Sequence, residues 1–242
     1  MESPVPSAVP DRVEASPAIA QDPDFLFGPP RGSLGVRLGR GFARAGSDLF
    51  DESRERFTLG ERDFDAWTLG LDVTYRAADW YDGTLSFTYS HASADSEYRD
   101  WVDNEDLPIE QRTTLSQLAA TLGLKLYPMP RGRAVGSLAW IPARFTPYVG
   151  LQGGLLRYSF EQAGDFVDFE DFGVYTDELT TGGVTPVGHL LGGVDVGLTA
   201  RTLVRVEGRY ALAAASVADD YLGYDDLDLS GFQATAGLAV RF

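Results

Sequence analysis

Two histidines and no cysteine leave few side chains for covalent or acid–base chemistry in this chain of 242 residues. His91-Ala92-Ser93, followed by Asp95 and Glu97, sets a base two residues from a hydroxyl. On an extended chain that spacing puts both side chains on one face. The same His91 also has an inert reading as a single polar residue at a strand end, and His189 reads as part of the internal structure. The absence of Cys excludes disulfides, thiolate metal sites and Cys nucleophiles. No Gly-rich phosphate loop, H-E-x-x-H or G-x-S-x-G is present. No cofactor is therefore expected. Carboxylates are abundant, with 36 Asp and Glu against 20 Lys and Arg. Their oxygens suit Ca²⁺ and Mg²⁺, yet no acidic run matches the D-x-[DN]-x-[DN]-G calcium pattern. A net charge of −16 argues against a nucleic-acid partner, which needs a basic face.

The elements that must position these residues alternate with period two. In Phe232–Phe242 one face carries Phe232, Ala234, Ala236, Leu238, Val240 and Phe242, and the other carries Gln233, Thr235, Gly237, Ala239 and Arg241. That is a strand with one apolar and one small-or-polar face. Val204, Val206, Gly208, Tyr210 and Leu212 oppose Arg205, Glu207, Arg209 and Ala211. Trp67, Leu69, Leu71, Val73 and Tyr75 oppose Thr68, Gly70, Asp72, Thr74 and Arg76. Eight such segments are expected, roughly 32–43, 64–77, 83–95, 113–127, 145–160, 184–198, 203–215 and 229–242. They are longer than ordinary strands, and a tilted bilayer-crossing strand needs about 9–11 residues. Segment 145–160 is the least regular. Tyr148, Leu156, Tyr158 and Phe160 read as its apolar face with Arg157 opposite, Gln152 falls on the wrong side, and Gly153-Gly154 suggests a bulge. Residues 1–30, rich in Pro, read as an extended tail or linker, and residues 31–242 as one barrel. Met1–Gly28 lacks the basic start and apolar core of a secretory signal.

Two barrels fit this pattern. A water-soluble carrier would turn the apolar faces inward, whereas a membrane barrel turns them outward and fills its middle with polar groups. Three features favour the membrane form. The polar faces are rich in Gly, Ala, Ser and Thr, whereas soluble surfaces favour Lys and Glu. Aromatic residues gather at segment ends: Phe64, Trp67, Tyr89, Tyr158 and Phe232 at one end, Tyr75, Trp80, Tyr81, Tyr127, Tyr148 and Phe242 at the other. Charge is also segregated. The intervals 43–63, 95–110, 161–178 and 216–228, read as long loops, together carry −20, and the tail carries −4, so the strands and short turns are net basic. The acidic rim is expected to be solvated and to offer contacts for divalent cations that bridge anionic lipid.

At this point the chain resembles the small outer-membrane β-barrel family that includes the OmpA transmembrane domain and its single-domain relatives. The resemblance is carried by the terminal Leu238-Ala239-Val240-Arg241-Phe242 and by Pro147-Tyr148-Val149-Gly150-Leu151-Gln152-Gly153-Gly154, where Gln152 replaces a glycine of the family pattern. It implies an eight-stranded antiparallel up-and-down transmembrane β-barrel in the bacterial outer membrane. It also implies that Leu238, Val240 and Phe242 form a signal read by the barrel assembly machinery, and that the partner is outer-membrane lipid. The H-x-S spacing at His91 further resembles outer-membrane lipid A deacylases, but in that family the pair lies later in the chain and is followed by Asn, where Ala94 stands here.

An eight-stranded barrel has an interior just filled by side chains. Arg37, Asp72, Arg76, Lys125, Arg157, Asp195, Arg205, Glu207, Arg209 and Arg241 are expected to point inward and to pair as a charge network that plugs the lumen. The expected role is structural or interactive, through membrane integrity or loop contacts, rather than enzymatic. A narrow channel for small solutes, a subunit of a larger envelope complex tethered through residues 1–30, and a lipid A-modifying enzyme are the alternatives.

Overall fold

Strands whose two faces differ in polarity can leave no edge unpaired only by closing on themselves. The computed structural model describes residues 25–103, 105–136, 139–168, 173–217, 221 and 223–242. Its principal strands are β1 (Gly32–Ala43), β2 (Ala66–Arg76), β3 (Tyr81–Val102), β4 (Pro108–Leu126), β7 (Phe145–Val167), β8 (Val174–Gly197), β9 (Thr202–Leu212) and β12 (Gly231–Arg241). They form a closed antiparallel barrel in the order β1-β12-β9-β8-β7-β4-β3-β2. The seam is a continuous ladder between the first and last strands, with Val36 opposite Leu238 and Leu38 opposite Ala236. Two short hairpins lie outside the ring: β5 (Gly132–Val135) with β6 (Ala139–Pro142), and β10 (Ala214–Ala215) with β11 (Leu227–Asp228). A nine-residue helix, α1 (Asp48–Arg56), occupies the β1–β2 connection. The expected tail lies outside the described residues up to position 24. Beyond that, Leu26 forms an antiparallel bridge with Trp140.

The inside-out polarity decides between the two barrels. Leu69, Leu122 and Val240 are 56%, 65% and 52% exposed, whereas Arg205 and Arg209 are 3% and 1% exposed. Apolar side chains such as Leu34, Val36, Leu71, Leu151, Leu190 and Leu238 form an exposed outer belt. Such a belt is stable only where the surrounding medium is itself apolar. Trp67, Tyr89, Phe42 and Phe232 lie at its loop end, with Phe42 and Phe232 stacked at 6.4 Å, and Tyr75, Trp80, Phe145 and Phe242 lie at its turn end. Phe64, Tyr158, Tyr127 and Tyr148, expected in these girdles, are instead buried inside. An arginine in the middle of the belt would have to be desolvated, so Leu122→Arg should cost about 2–4 kcal/mol. Urea titration of the barrel refolded into lipid vesicles would read that loss.

Four strands are longer than expected. β3, β4, β7 and β8 continue past positions 95, 113, 160 and 184, so much of the intervals 95–110 and 161–178 is paired strand rather than loop. Asp95 faces Arg112 and Glu161 faces Thr180 across these extensions. The barrel is therefore lopsided, with one wall standing above the belt.

Candidate functional site

The interior is built in two storeys. The lower one is ionic. Arg37 Nε donates to Asp72 Oδ2 at 2.8 Å, Ser86 donates to Asp72 Oδ1 at 2.5 Å, and Arg37 Nη2 reaches the Thr88 hydroxyl. Glu207 is the hub: Oε2 accepts from Lys125 Nζ at 2.9 Å and from the Tyr148 hydroxyl at 2.8 Å, while Oε1 accepts from Arg209 Nη2 at 2.7 Å and Nε at 3.2 Å. Arg209 also stands 3.7 Å from Asp72, which joins the two carboxylates through one guanidinium. Arg205 grips Asp195 with two parallel bonds of 2.8 and 2.9 Å, the fork geometry that makes guanidinium–carboxylate pairs strong. The strand period explains the arrangement, since Arg205, Glu207 and Arg209 are alternate residues of β9 and must share the inner face. Glycine makes room for the bulky members. A Cβ at Gly70 would lie 2.5 Å from Arg37 Nε, and one at Gly193 would lie 2.6 Å from the Tyr148 hydroxyl.

Of the ten charged residues expected inside, Arg37, Asp72, Lys125, Asp195, Arg205, Glu207 and Arg209 meet in this layer. Arg241 is buried at its lower edge, donating to the carbonyls of Thr199 and Ala200 instead of to a carboxylate. Arg76 lies at the turn rim, where it donates to Asp79 at 2.7 Å, holds that carboxyl below the usual range and covers the Trp140 ring. Arg157 is exposed on the outside of β7, a correction to the expected inward placement. The register of β7 is unbroken against both neighbours, so Gly153-Gly154 is not a bulge. Gln152 and Tyr148 therefore point inward and Arg157 outward. Gln152 belongs where it is, bonded to Thr84, Ser86 and Thr121. His189 is buried beside Arg209, with 3.5 Å between Nδ1 and Nη1.

The upper storey is apolar and was missed by sequence reasoning. α1 lies over the barrel mouth with Leu49 and Phe50 turned down. Phe50 packs edge-on against Phe64 at 4.7 Å and against Phe160 at 5.9 Å, and Phe57 meets Tyr98 at 4.6 Å. Ile109, Leu115, Leu156, Val187, Tyr221 and Leu227 complete this cluster. Gln162 ties it together, donating to Ser53 of α1 at 3.2 Å and accepting from Tyr221 at 2.8 Å. Acidic residues in the first turn of α1 and arginines in its last turn suit the helix dipole. The available signal was the run of Leu49, Phe50, Phe57 and Leu59 inside 43–63, a segment read as a solvated loop, with Phe64 at the start of the next segment. At the opposite end the β5–β6 hairpin closes the barrel with Trp140, while Arg131 donates to Asp82 at 2.6 Å and to the carbonyls of Ala78 and Asp79. A half-open pocket of about 40 Å³ lies against Phe50 and Phe64, lined also by Ser90, Gln117 and Gln233.

His91 is exposed on the outer face of β3. Its Nδ1 lies 3.0 Å from the hydroxyl of Ser116, not that of Ser93, which pairs with Thr114 at 3.3 Å. Asp95 is held by Arg112 at 2.6 Å, and this bond keeps its carboxyl below the usual range. The residues of the H-x-S motif are thus not joined as base and nucleophile. Asp48, Asp51, Glu52, Glu55 and Asp100 line an open cleft above the mouth with Tyr98, Trp101 and Arg56, the last paired with Glu52. Among the described residues no group of three or more His, Asp or Glu side chains is arranged to hold a metal ion.

No protein-family model matches the chain, and no curated protein matches it. Solved structures do. The Neisserial surface protein A is similar at 13% identity, covering 87% of this chain and 96% of that one with a TM-score of 0.47. Ail, the attachment invasion locus protein of Yersinia pestis, in a complex with the heparin analogue sucrose octasulfate, is similar at 12% identity, covering 88% and 99% with a TM-score of 0.42. The N-terminal β-barrel domain of Pseudomonas aeruginosa OprF is similar at 14% identity, covering 88% and 100% with a TM-score of 0.33.

Proposed function

We propose that this chain is a bacterial outer-membrane barrel with a structural and surface-interaction role, its lumen closed by the ionic layer and the helix-capped apolar layer. The observation that carries the reading is the inversion of polarity: an exposed apolar cylinder around a buried set of paired ions. Ion pairs in a low-dielectric interior are retained only where each charge keeps its partners, and here they fill the cross-section that a solute would need. The part left to interact is the acidic rim above the belt, carried on the extended walls of β3, β4, β7 and β8 and on α1. Its carboxylates support cation-bridged contact with anionic lipid of the facing leaflet, and calorimetric titration with Ca²⁺ should show heat that is absent when the α1 acids are replaced. Leu238, Val240 and Phe242, all turned outward at the end of β12, serve in this reading as the assembly signal. Residues 1–30 supply a tether to an envelope partner in this reading, which co-purification with and without them would test.

The experiment that tests the central reading has two parts. The folded protein should need detergent or lipid to stay in solution and should migrate faster on gels before boiling than after. Planar bilayers should then show insertion without a steady open level. A channel role would instead produce a stable conductance, and a monomer soluble without detergent would overturn the membrane reading outright.

A further inference from the structure

The turn end of the barrel carries an arc of unbalanced positive charge. Arg31 precedes β1, its N–H donating to the Phe242 carbonyl at 2.7 Å and its own carbonyl accepting from Arg76 at 2.7 Å. Arg201 leads into β9, with its carbonyl accepting from Arg241 at 2.7 Å, and Arg144 precedes β7, with its carbonyl accepting from Gly197 at 2.8 Å. These bonds place three guanidinium-bearing residues at the ends of β1, β9 and β7, within the contiguous half-ring β1-β12-β9-β8-β7. All three are exposed, and among the described residues none is ion-paired. The acidic side chains nearest Arg201 in sequence, Asp195 and Glu207, are both buried and held, Asp195 by Arg205 and Glu207 by Lys125 and Arg209. Of the other turn-end cations, Arg76 is matched by Asp79 and Arg131 by Asp82, while Arg133 on the β5–β6 hairpin is exposed and, among the described residues, in no ion pair.

What lies between the unmatched arginines identifies their partner. Phe145, Leu198 and Phe242 are 61%, 58% and 60% exposed there, and they continue the apolar belt to its edge. Arg144 itself leans over the Phe145 ring at 5.9 Å. A soluble polyanion would satisfy the arginines and leave these faces in water. An anionic phospholipid satisfies both, with its phosphate accepting from the guanidinium fork and its acyl chains covering the rings.

Building on the membrane reading above, we propose that this arc is a binding surface for anionic phospholipids of the phosphatidylglycerol class, in the leaflet that meets the turn end. It would also orient the barrel, since the opposite rim is acidic. Each arginine near an anionic surface is worth about fivefold in affinity, so three give on the order of a hundredfold preference.

The test is native mass spectrometry of the folded, detergent-solubilised barrel titrated with phosphatidylglycerol or with phosphatidylcholine of the same chains. The wild type should retain phosphatidylglycerol preferentially, and that preference should fall as salt rises. The triple variant Arg31→Gln/Arg144→Gln/Arg201→Gln should lose it while keeping the weak retention of phosphatidylcholine, and Arg62→Gln, in the β1–β2 connection at the opposite end of the barrel, should not. Equal retention of the two lipids by the wild type, or undiminished preference in the triple variant, overturns the proposal. Displacement of the lipid by glycerol phosphate at equal concentration overturns it as well, because the site would then read the phosphate alone. Insertion of the wild type into pure phosphatidylcholine vesicles separates the two levels: insertion without a headgroup preference sinks the arc only, and failure to insert sinks the membrane reading beneath it.

Discussion

Glu207→Ala should destabilise the barrel by about 3–5 kcal/mol, the range found when one member of a buried charge set is removed and the others are left behind. The expectation follows from what this one carboxylate holds. Lys125 and Arg209 both lose their nearest carboxylate oxygen, and the Tyr148 hydroxyl loses its acceptor. Asp72 remains 3.7 Å from Arg209 but is already engaged by Arg37 and Ser86. No other carboxylate in the layer is free to take Lys125, because Asp195 is gripped from both oxygens by Arg205. Urea titration of protein refolded into vesicles would measure the loss. Glu207→Gln should lose less, because it retains an acceptor. Lys125→Met combined with Glu207→Gln should lose less than the two single changes added, because the cation that made Glu207 necessary is gone. A Glu207→Ala protein within about 0.5 kcal/mol of the wild type, the range of an ordinary surface substitution, would mean that the ionic layer does not hold the fold together.

The reach and the limit of the sequence are both visible along β7. Alternation reports that two faces differ, and elsewhere the abundance of Gly, Ser and Thr on one face was enough to say which face turns inward. In β7 the difference reverses partway. Up to position 155 the outward residues are Val149, Leu151 and Leu155 and the inward ones include Gln152, whereas above it the outward residues are Arg157 and Ser159 and the inward ones are Leu156, Tyr158 and Phe160. Nothing is wrong with the strand. The medium changes on both sides at once, from lipid to water outside and from ionic layer to apolar plug inside. A fixed assignment of faces reads that reversal as a slipped register, which is why a bulge was expected at Gly153-Gly154 and Arg157 was placed inside. β3 shows the same reversal, from Leu85, Phe87 and Tyr89 outward below to His91, Ser93 and Asp95 outward above. The partners of each lumen charge were not legible for a different reason. Lys125 and Glu207 are 82 residues apart, and only the closed ring order brings them face to face. The helix in the β1–β2 connection was hidden by its charge, since its six acids and four arginines over 43–63 look like a solvated loop until Leu49 and Phe50 are seen to share one buried side.

That helix gives the second large effect. Phe50 is fully buried and fills the space between Phe64 and Phe160, so Phe50→Ala should weaken the seating of α1 by about 3–5 kcal/mol, the usual cost of emptying a core phenylalanine site. The loss is local, because the ladder from β1 to β2 begins at Gly41 and Ala66, outside the helix. It should therefore appear as opening of the mouth more than as a fall in the urea midpoint. Arg54 and Arg56 lie within α1, where trypsin can cut them only once the helix has left its seat. When opening is fast compared with cleavage, the rate follows the open population, so about 3 kcal/mol at 1.4 kcal/mol per decade predicts cutting at these arginines roughly a hundredfold faster than in the wild type. The same variant should still show no steady current in a planar bilayer. Undocking the helix removes the apolar storey, but the layer around Glu207, Lys125, Arg209 and Asp72 still fills the barrel below it. A current in Phe50→Ala alone would place the seal in the loop rather than in the ions. Unchanged proteolysis would show that α1 is held by its polar bonds to Gln162 and the neighbouring wall rather than by the buried ring.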